Sequence, residues 1–160
     1  MSWLGKSSCL NWTSYDPSNV ATYLARESIL EAANEISSGP DEINLRSVLI
    51  RLDTPSDIKS TKQMVGLSIW SVRSGSEFED VVRSVQVAKS RRIQPVQVVL
   101  LNRALESATG ILLEAGAQIV VSELLFLKKA VRKAIKNAFC VQQASHPLLV
   151  ELPSLLKRFD

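Results

Sequence analysis

From Val48 to Phe139 the chain alternates short apolar runs with amphipathic stretches, and only a few residues separate each run from the next. Few architectures accept that rhythm: strands and helices in strict succession, tightly connected, favour a mostly parallel sheet covered by helices on both faces. Apolar runs over 48–52, 67–72, 96–101 and 119–121 predict the strands. The run after Pro95 is almost wholly apolar, as a strand buried on both faces requires.

Helix signals fill the intervals. After Asp16-Pro17, with Ser18 or Asn19 as N-cap, the residues Ala21, Leu24, Ala25, Ser28, Ile29, Ala32 and Ile36 share one helical face. Thr54-Pro55-Ser56-Asp57 announces a second helix, expected to run to Val65. Ser76 to Glu79 has capping-box spacing ahead of a stripe of Phe78, Val81, Val82, Val85 and Ala88. A fourth helix over 105–115 meets Gly116, which suits a left-handed C-cap. After Ser122, the residues Leu127, Ala130, Val131, Ala134, Ile135 and Ala138 line the last. A first strand over 10–15 completes five strands and five helices. Its Leu-Asn-Trp-Thr-Ser-Tyr is polar for a central strand, and without it the sheet has four.

At 160 residues and 46% hydrophobic content, one domain can bury a core without disulfides or metals. No apolar run approaches the roughly 20 residues of a bilayer span, and the first ten residues do not read as a signal peptide, so the expected location is the cytoplasm. Cys9 and Cys140 lack the spacing of a zinc or redox motif and read as free thiols. The expected limits are an N-terminal arm over 1–9, a domain over 10–140 and a tail over 141–160.

The segment Leu112-Leu113-Glu114-Ala115-Gly116-Ala117 with Ile119-Val120-Val121 resembles the end of a response-regulator receiver domain, and Pro95 to Leu101 resembles its fourth strand. The resemblance extends over about 10–137 and implies a flavodoxin-like fold, a doubly wound parallel five-stranded sheet of order 2-1-3-4-5. A phosphorylatable receiver holds Mg²⁺ with acidic residues after its first strand, takes phosphate on an aspartate after its third, and follows its fourth with Ser or Thr and its fifth with lysine. Here those places fall on Asp16, Arg73, Asn102 and Glu123. The resemblance therefore implies a degenerate receiver that keeps the surface made by its last two helices and the strand between them, and not phosphotransfer. Under a shifted alignment Asp53 could stand as the acceptor, but it would then follow the second strand.

Other features carry less chemistry. Gly5-Lys6-Ser7 lacks the earlier glycine and preceding strand of a phosphate loop. His146, the sole histidine, has no orienting partner in sequence. Lys129, Arg132, Lys133 and Lys136 make a basic stripe on the last helix, which reads either as a solvated face near a helix C-terminus or as a contact for phosphates or an acidic protein. The tail, with Leu149, Leu152, Leu156 and Phe159, is too apolar to stand free in water, and Trp3 and Trp12 pose the same problem on a smaller scale. Cover from the domain itself, from a second copy or from another protein are all open.

The expectation is a non-enzymatic, receiver-like signalling or scaffold module without cofactor or metal. It would bind a protein partner, a second copy included, through the last helix and the tail. Two alternatives stand beside it: a flavodoxin-like enzyme or ligand binder using the crevice beyond the strand ends, and nucleic-acid binding by the basic helix.

Overall fold

A computed structural model describes residues 8–39 and 44–144, with side chains as far as Lys136. Five strands, β1 (Ser8–Tyr15), β2 (Leu45–Arg51), β3 (Leu67–Val72), β4 (Val96–Leu101) and β5 (Ile119–Val121), form one parallel sheet. Their order is β2-β1-β3-β4-β5, the flavodoxin-like arrangement. The described α-helices are α1 (Val20–Ser37), α2 (Gly75–Lys89), α3 (Thr109–Ala115) and α4 (Leu127–Ala144).

The polar first strand pairs on both sides, and its hydroxyls explain how. Thr13 donates to the Ser68 hydroxyl on β3 at 2.8 Å, and the Ser14 and Thr22 hydroxyls lie 2.8 Å apart. Trp12 is 1% exposed. Satisfied hydroxyls cost little inside a sheet, whereas unpaired ones would exclude the strand from it.

Alternate strand residues divide the core in two. Leu10, Trp12, Leu67, Ile69 and Val98 face α1 and α4, which bring Ala25, Ile29, Leu127 and Ile135. Tyr15, Trp70, Val72, Val99 and Leu101 face α2 and α3, which bring Val81, Val85 and Leu112.

Several local expectations are corrected. The helix expected after Thr54 is only a 3-10 turn, Pro55–Ser60. The Asp57 carboxylate does accept the N–H groups of Asp53 and Thr54, both at 3.0 Å, so the start signal is real. Beyond Ile58, however, Lys59 to Met64 offer no buried apolar side chain to continue a helix. The fourth helix likewise opens as a 3-10 turn, Arg103–Ala108, before α3. At α1, Asn19 is the N-cap residue, as one of the two expected, but it has φ 65° and its side chain makes no capping hydrogen bond. Asp16 supplies the missing acceptor from outside the helix, taking the Thr22 N–H at 2.8 Å. At α2 the N-cap is Ser74 rather than Ser76, and Glu77 Oε1 reaches back past it to the Arg73 N–H at 2.9 Å. Gly116 does take positive φ, 133°, with the Lys89 stem where a Cβ would lie. No described helix is long and apolar enough to cross a membrane.

Candidate functional site

Every strand of a parallel sheet delivers its following loop to the same edge, so the residues after β1, β3, β4 and β5 ring one crevice. Asp16 follows β1, Arg73 follows β3, Asn102 follows β4, and Glu123 stands two residues beyond β5. The structure places all four on this edge and joins Asn102 to Arg73, while the Asp16 and Glu123 side chains turn to other partners.

Asp16 is buried, and both its oxygens are in use. Oδ1 accepts the Ser18 hydroxyl at 2.9 Å, while Oδ2 accepts the Thr22 N–H and, at 3.1 Å, the Thr22 hydroxyl. With its proton given to Asp16, Thr22 accepts from Ser14. The carboxylate thus serves the positive end of α1.

Asn102 is the clasp between β3 and β4. Its backbone N–H donates to Val72 O at 2.8 Å, its Nδ2 donates to Arg73 O at 2.9 Å, and its Oδ1 accepts from the Ala104 N–H at 2.8 Å. Arg73 and Asn102 are therefore brought together, through the arginine's backbone. Glu123 turns aside to Arg103, 2.8 Å away.

The densest network belongs to two residues outside the expected four, Tyr15 and Glu77. Glu77 Oε2 accepts the Tyr15 hydroxyl at 2.7 Å and the Arg73 guanidinium at 3.0 Å. Burial alone would raise the Glu77 carboxyl, but the hydrogen bonds from Arg73 and Tyr15 prevail and hold it below the usual carboxylate range. Burial, reinforced by the Glu77 hydrogen bond, pushes the Tyr15 phenol up to about 12. Glu77 also raises the Arg73 pKa, chiefly by its hydrogen bond, with Asp16 adding a smaller attraction. The i,i+4 spacing of Arg73 and Glu77 signals their pairing; nothing local to Tyr15 signals that it joins them.

A Mg²⁺ ion does not fit this set. The carboxylate after β1 is committed to a helix terminus, and the group after β3 is a guanidinium, a cation where oxygen ligands are required. Among the described residues, no three His, Cys, Asp or Glu side chains converge as a metal site.

The basic stripe is divided by the packing of α4 on α1. Lys128 pairs with Glu27 and Glu31, and Arg132 pairs with Glu31 and Glu35. Arg132 therefore faces α1, leaving Lys129, Lys133 and Lys136 on the exposed side. Beside them, the 3-10 turn Leu124–Phe126 exposes three large apolar side chains, Leu125 at 77%. Leu149, Leu152, Leu156 and Phe159 of the expected interface lie outside the described residues, as do His146 and Gly5-Lys6-Ser7.

No family model and no curated protein matches the sequence. Solved structures do match its shape. The phosphorylated cyanobacterial phytochrome response regulator RcpA superposes with a TM-score of 0.52 at 10% identity, covering 79% of this chain and 91% of that one. The response regulatory domain of mrkE from Klebsiella pneumoniae gives 0.51 at 11% identity, covering 84% and 98%. The domain therefore has the receiver fold.

Proposed function

We propose that this domain is a receiver-like signalling or scaffold module that is not phosphorylated and works by binding protein partners. The observation that carries the reading is Arg73. It stands where a phosphorylatable receiver has its aspartate, and its guanidinium is tied to Glu77, which also holds Tyr15. Glu123 stands at the expected lysine position, bound to Arg103. Supporting the second half of the reading are the exposed Leu124, Leu125 and Phe126 just before α4, whose exposed side carries Lys129, Lys133 and Lys136. On this reading the functional unit is 10–140, its location is the cytoplasm, and it is not an enzyme.

Incubation with acetyl phosphate and Mg²⁺, followed by intact mass measurement, is expected to leave the protein unmodified. Stoichiometric aspartyl phosphate would overturn the proposal. Leu125→Asp with Phe126→Asp is expected to abolish capture of the partner while leaving the circular dichroism spectrum unchanged.

A further inference from the structure

In a parallel sheet the loops that precede the strands gather at the edge opposite the crevice, and two of them are neighbours here because β3 pairs with β4. Leu67 lies in register with Val96, and the Val96 N–H donates to Gly66 O at 3.0 Å, so 61–66 and 90–95 enter the sheet side by side. Both are fastened. Arg91 Nη2 donates to Ile58 O, joining the end of α2 to the 3-10 turn Pro55–Ser60, and Asn11 Nδ2 donates to Met64 O at 3.1 Å. Their charge is one-sided. Residues 59–66 and 88–95 include Lys59, Lys62, Lys89, Arg91 and Arg92 and no acidic residue. Apart from Arg91 these cations are exposed, and none of them has an ion-pair partner among the described residues. The carboxylates of α2, on Glu77, Glu79 and Asp80, lie toward its other end, and α3 ends beside Lys89 with one, Glu114. Amid the cations stand Met64 and Ile93, each three residues ahead of its strand, 59% and 50% exposed. The negative end of α2 accounts for Lys89. It does not account for the cations on the other loop, nor for two large apolar side chains held out beside them.

We propose that this edge rests on an anionic lipid surface, with Lys59, Lys62, Lys89 and Arg92 against the headgroups and Met64 and Ile93 entering the apolar boundary beneath them. Cations gathered without matching carboxylates are drawn to a negatively charged leaflet, and a group of about four is enough for that attraction to count. Apolar side chains among them add the buried area that holds an interfacial contact in place. A protein partner would have to supply carboxylates and apolar pockets in register with both loops, whereas a bilayer offers anionic oxygen above and hydrocarbon below at every point. The contact is peripheral and requires no spanning helix. Leu125 follows β5 at the opposite edge of the sheet, so the partner surface around it faces away from the lipid. The inference is independent of the phosphorylation state and of that partner surface.

The test measures sedimentation of the full chain with vesicles of phosphatidylcholine alone and of phosphatidylcholine mixed with phosphatidylserine. Binding is expected only to the mixed vesicles, and added salt should weaken it. Lys62→Glu with Arg92→Glu should cut that binding at least about tenfold at unchanged circular dichroism. Met64→Ser with Ile93→Ser should weaken it several-fold while its salt dependence remains. Lys129→Glu with Lys133→Glu, on the exposed side of α4, should weaken it far less. No binding at low salt, equal binding to both kinds of vesicle, or a larger loss from the α4 pair than from Lys62 and Arg92 would overturn the proposal. Retention on polyglutamate or duplex DNA at salt concentrations that release the chain from the vesicles would also overturn it, assigning the edge to an acidic macromolecule instead.

Discussion

On one face of the sheet lie α1 and α4, each 18 residues long, packed against each other and against Leu10, Trp12, Ile69 and Val98. On the other, the 15 residues of α2 share the cover with the seven of α3 and a six-residue 3-10 turn. The lighter face also carries a polar row. Thr13, Ser68 and Gln97 stand side by side in register across β1, β3 and β4, all buried. Thr13 bonds Ser68, while Gln97 accepts from Trp70 Nε1 at 2.9 Å and donates to Val85 O at 3.0 Å. The first face is held mainly by apolar volume. The second depends more on directed hydrogen bonds.

The same deletion on each face should separate them. Ile29 and Ile58 are both 1% exposed. Ile29→Ala, where two long helices meet the sheet, should cost toward the top of the roughly 2–5 kcal/mol range, and Ile58→Ala, on a short 3-10 turn that can settle inward, toward the bottom. Equal losses in urea denaturation would break the distinction. On the polar row, Gln97→Leu keeps most of the volume but strands the Trp70 indole N–H and takes a second donor from the Val85 carbonyl. A loss of about 2 kcal/mol is expected, and a neutral result would show that volume governs this face too.

Much of this was legible in advance. Strands 67–72 and 96–101 are short, apolar and bounded by turn residues, and β3 and β4 occupy those residues. Gly116 marks the end of α3 because few other residues accept its φ. The signal at Pro55 opens only a turn because start signals are local, while propagation requires a buried face that only tertiary packing supplies. For the site, the order of strands and loops was enough to put Asp16, Arg73, Asn102 and Glu123 on one edge. It could not show that Tyr15 from β1 and Glu77 from α2 meet, since 62 residues separate them.

The Tyr15 and Glu77 contact extends the comparison to pH. Tyr15 belongs to the lighter face, and its phenol is raised from 10.0 to about 12. A raised pKa means that the neutral form is favoured in the folded state, so this contribution is present in full below pH 10 and disappears as pH climbs to about 12. Glu77 is lowered, so its contribution is present above the ordinary carboxylate pKa of 4.5 and disappears as pH falls through its depressed folded value. Tyr15→Phe should flatten the alkaline limb of a plot of Tm against pH and leave the α1 and α4 face untouched. An unchanged alkaline limb would mean that the hydroxyl is not held by Glu77.

The smallest effect should come from the heavier face, although a ladder of ion pairs joins its two helices. Glu27, Glu31 and Glu35 recur every fourth residue on α1, opposite Lys128 and Arg132 at the same spacing on α4. Glu31 sits between both cations, and its pKa is lowered chiefly by the hydrogen bond from Lys128. Exposed pairs of this kind are screened by salt and spend side-chain entropy on their geometry. Glu31→Gln should therefore lower Tm slightly at low ionic strength and above pH 4.5, with the difference fading as pH falls or salt is added. If the loss persisted in high salt, the ladder would be holding α4 in place, and the first face could no longer be described as secured by apolar volume.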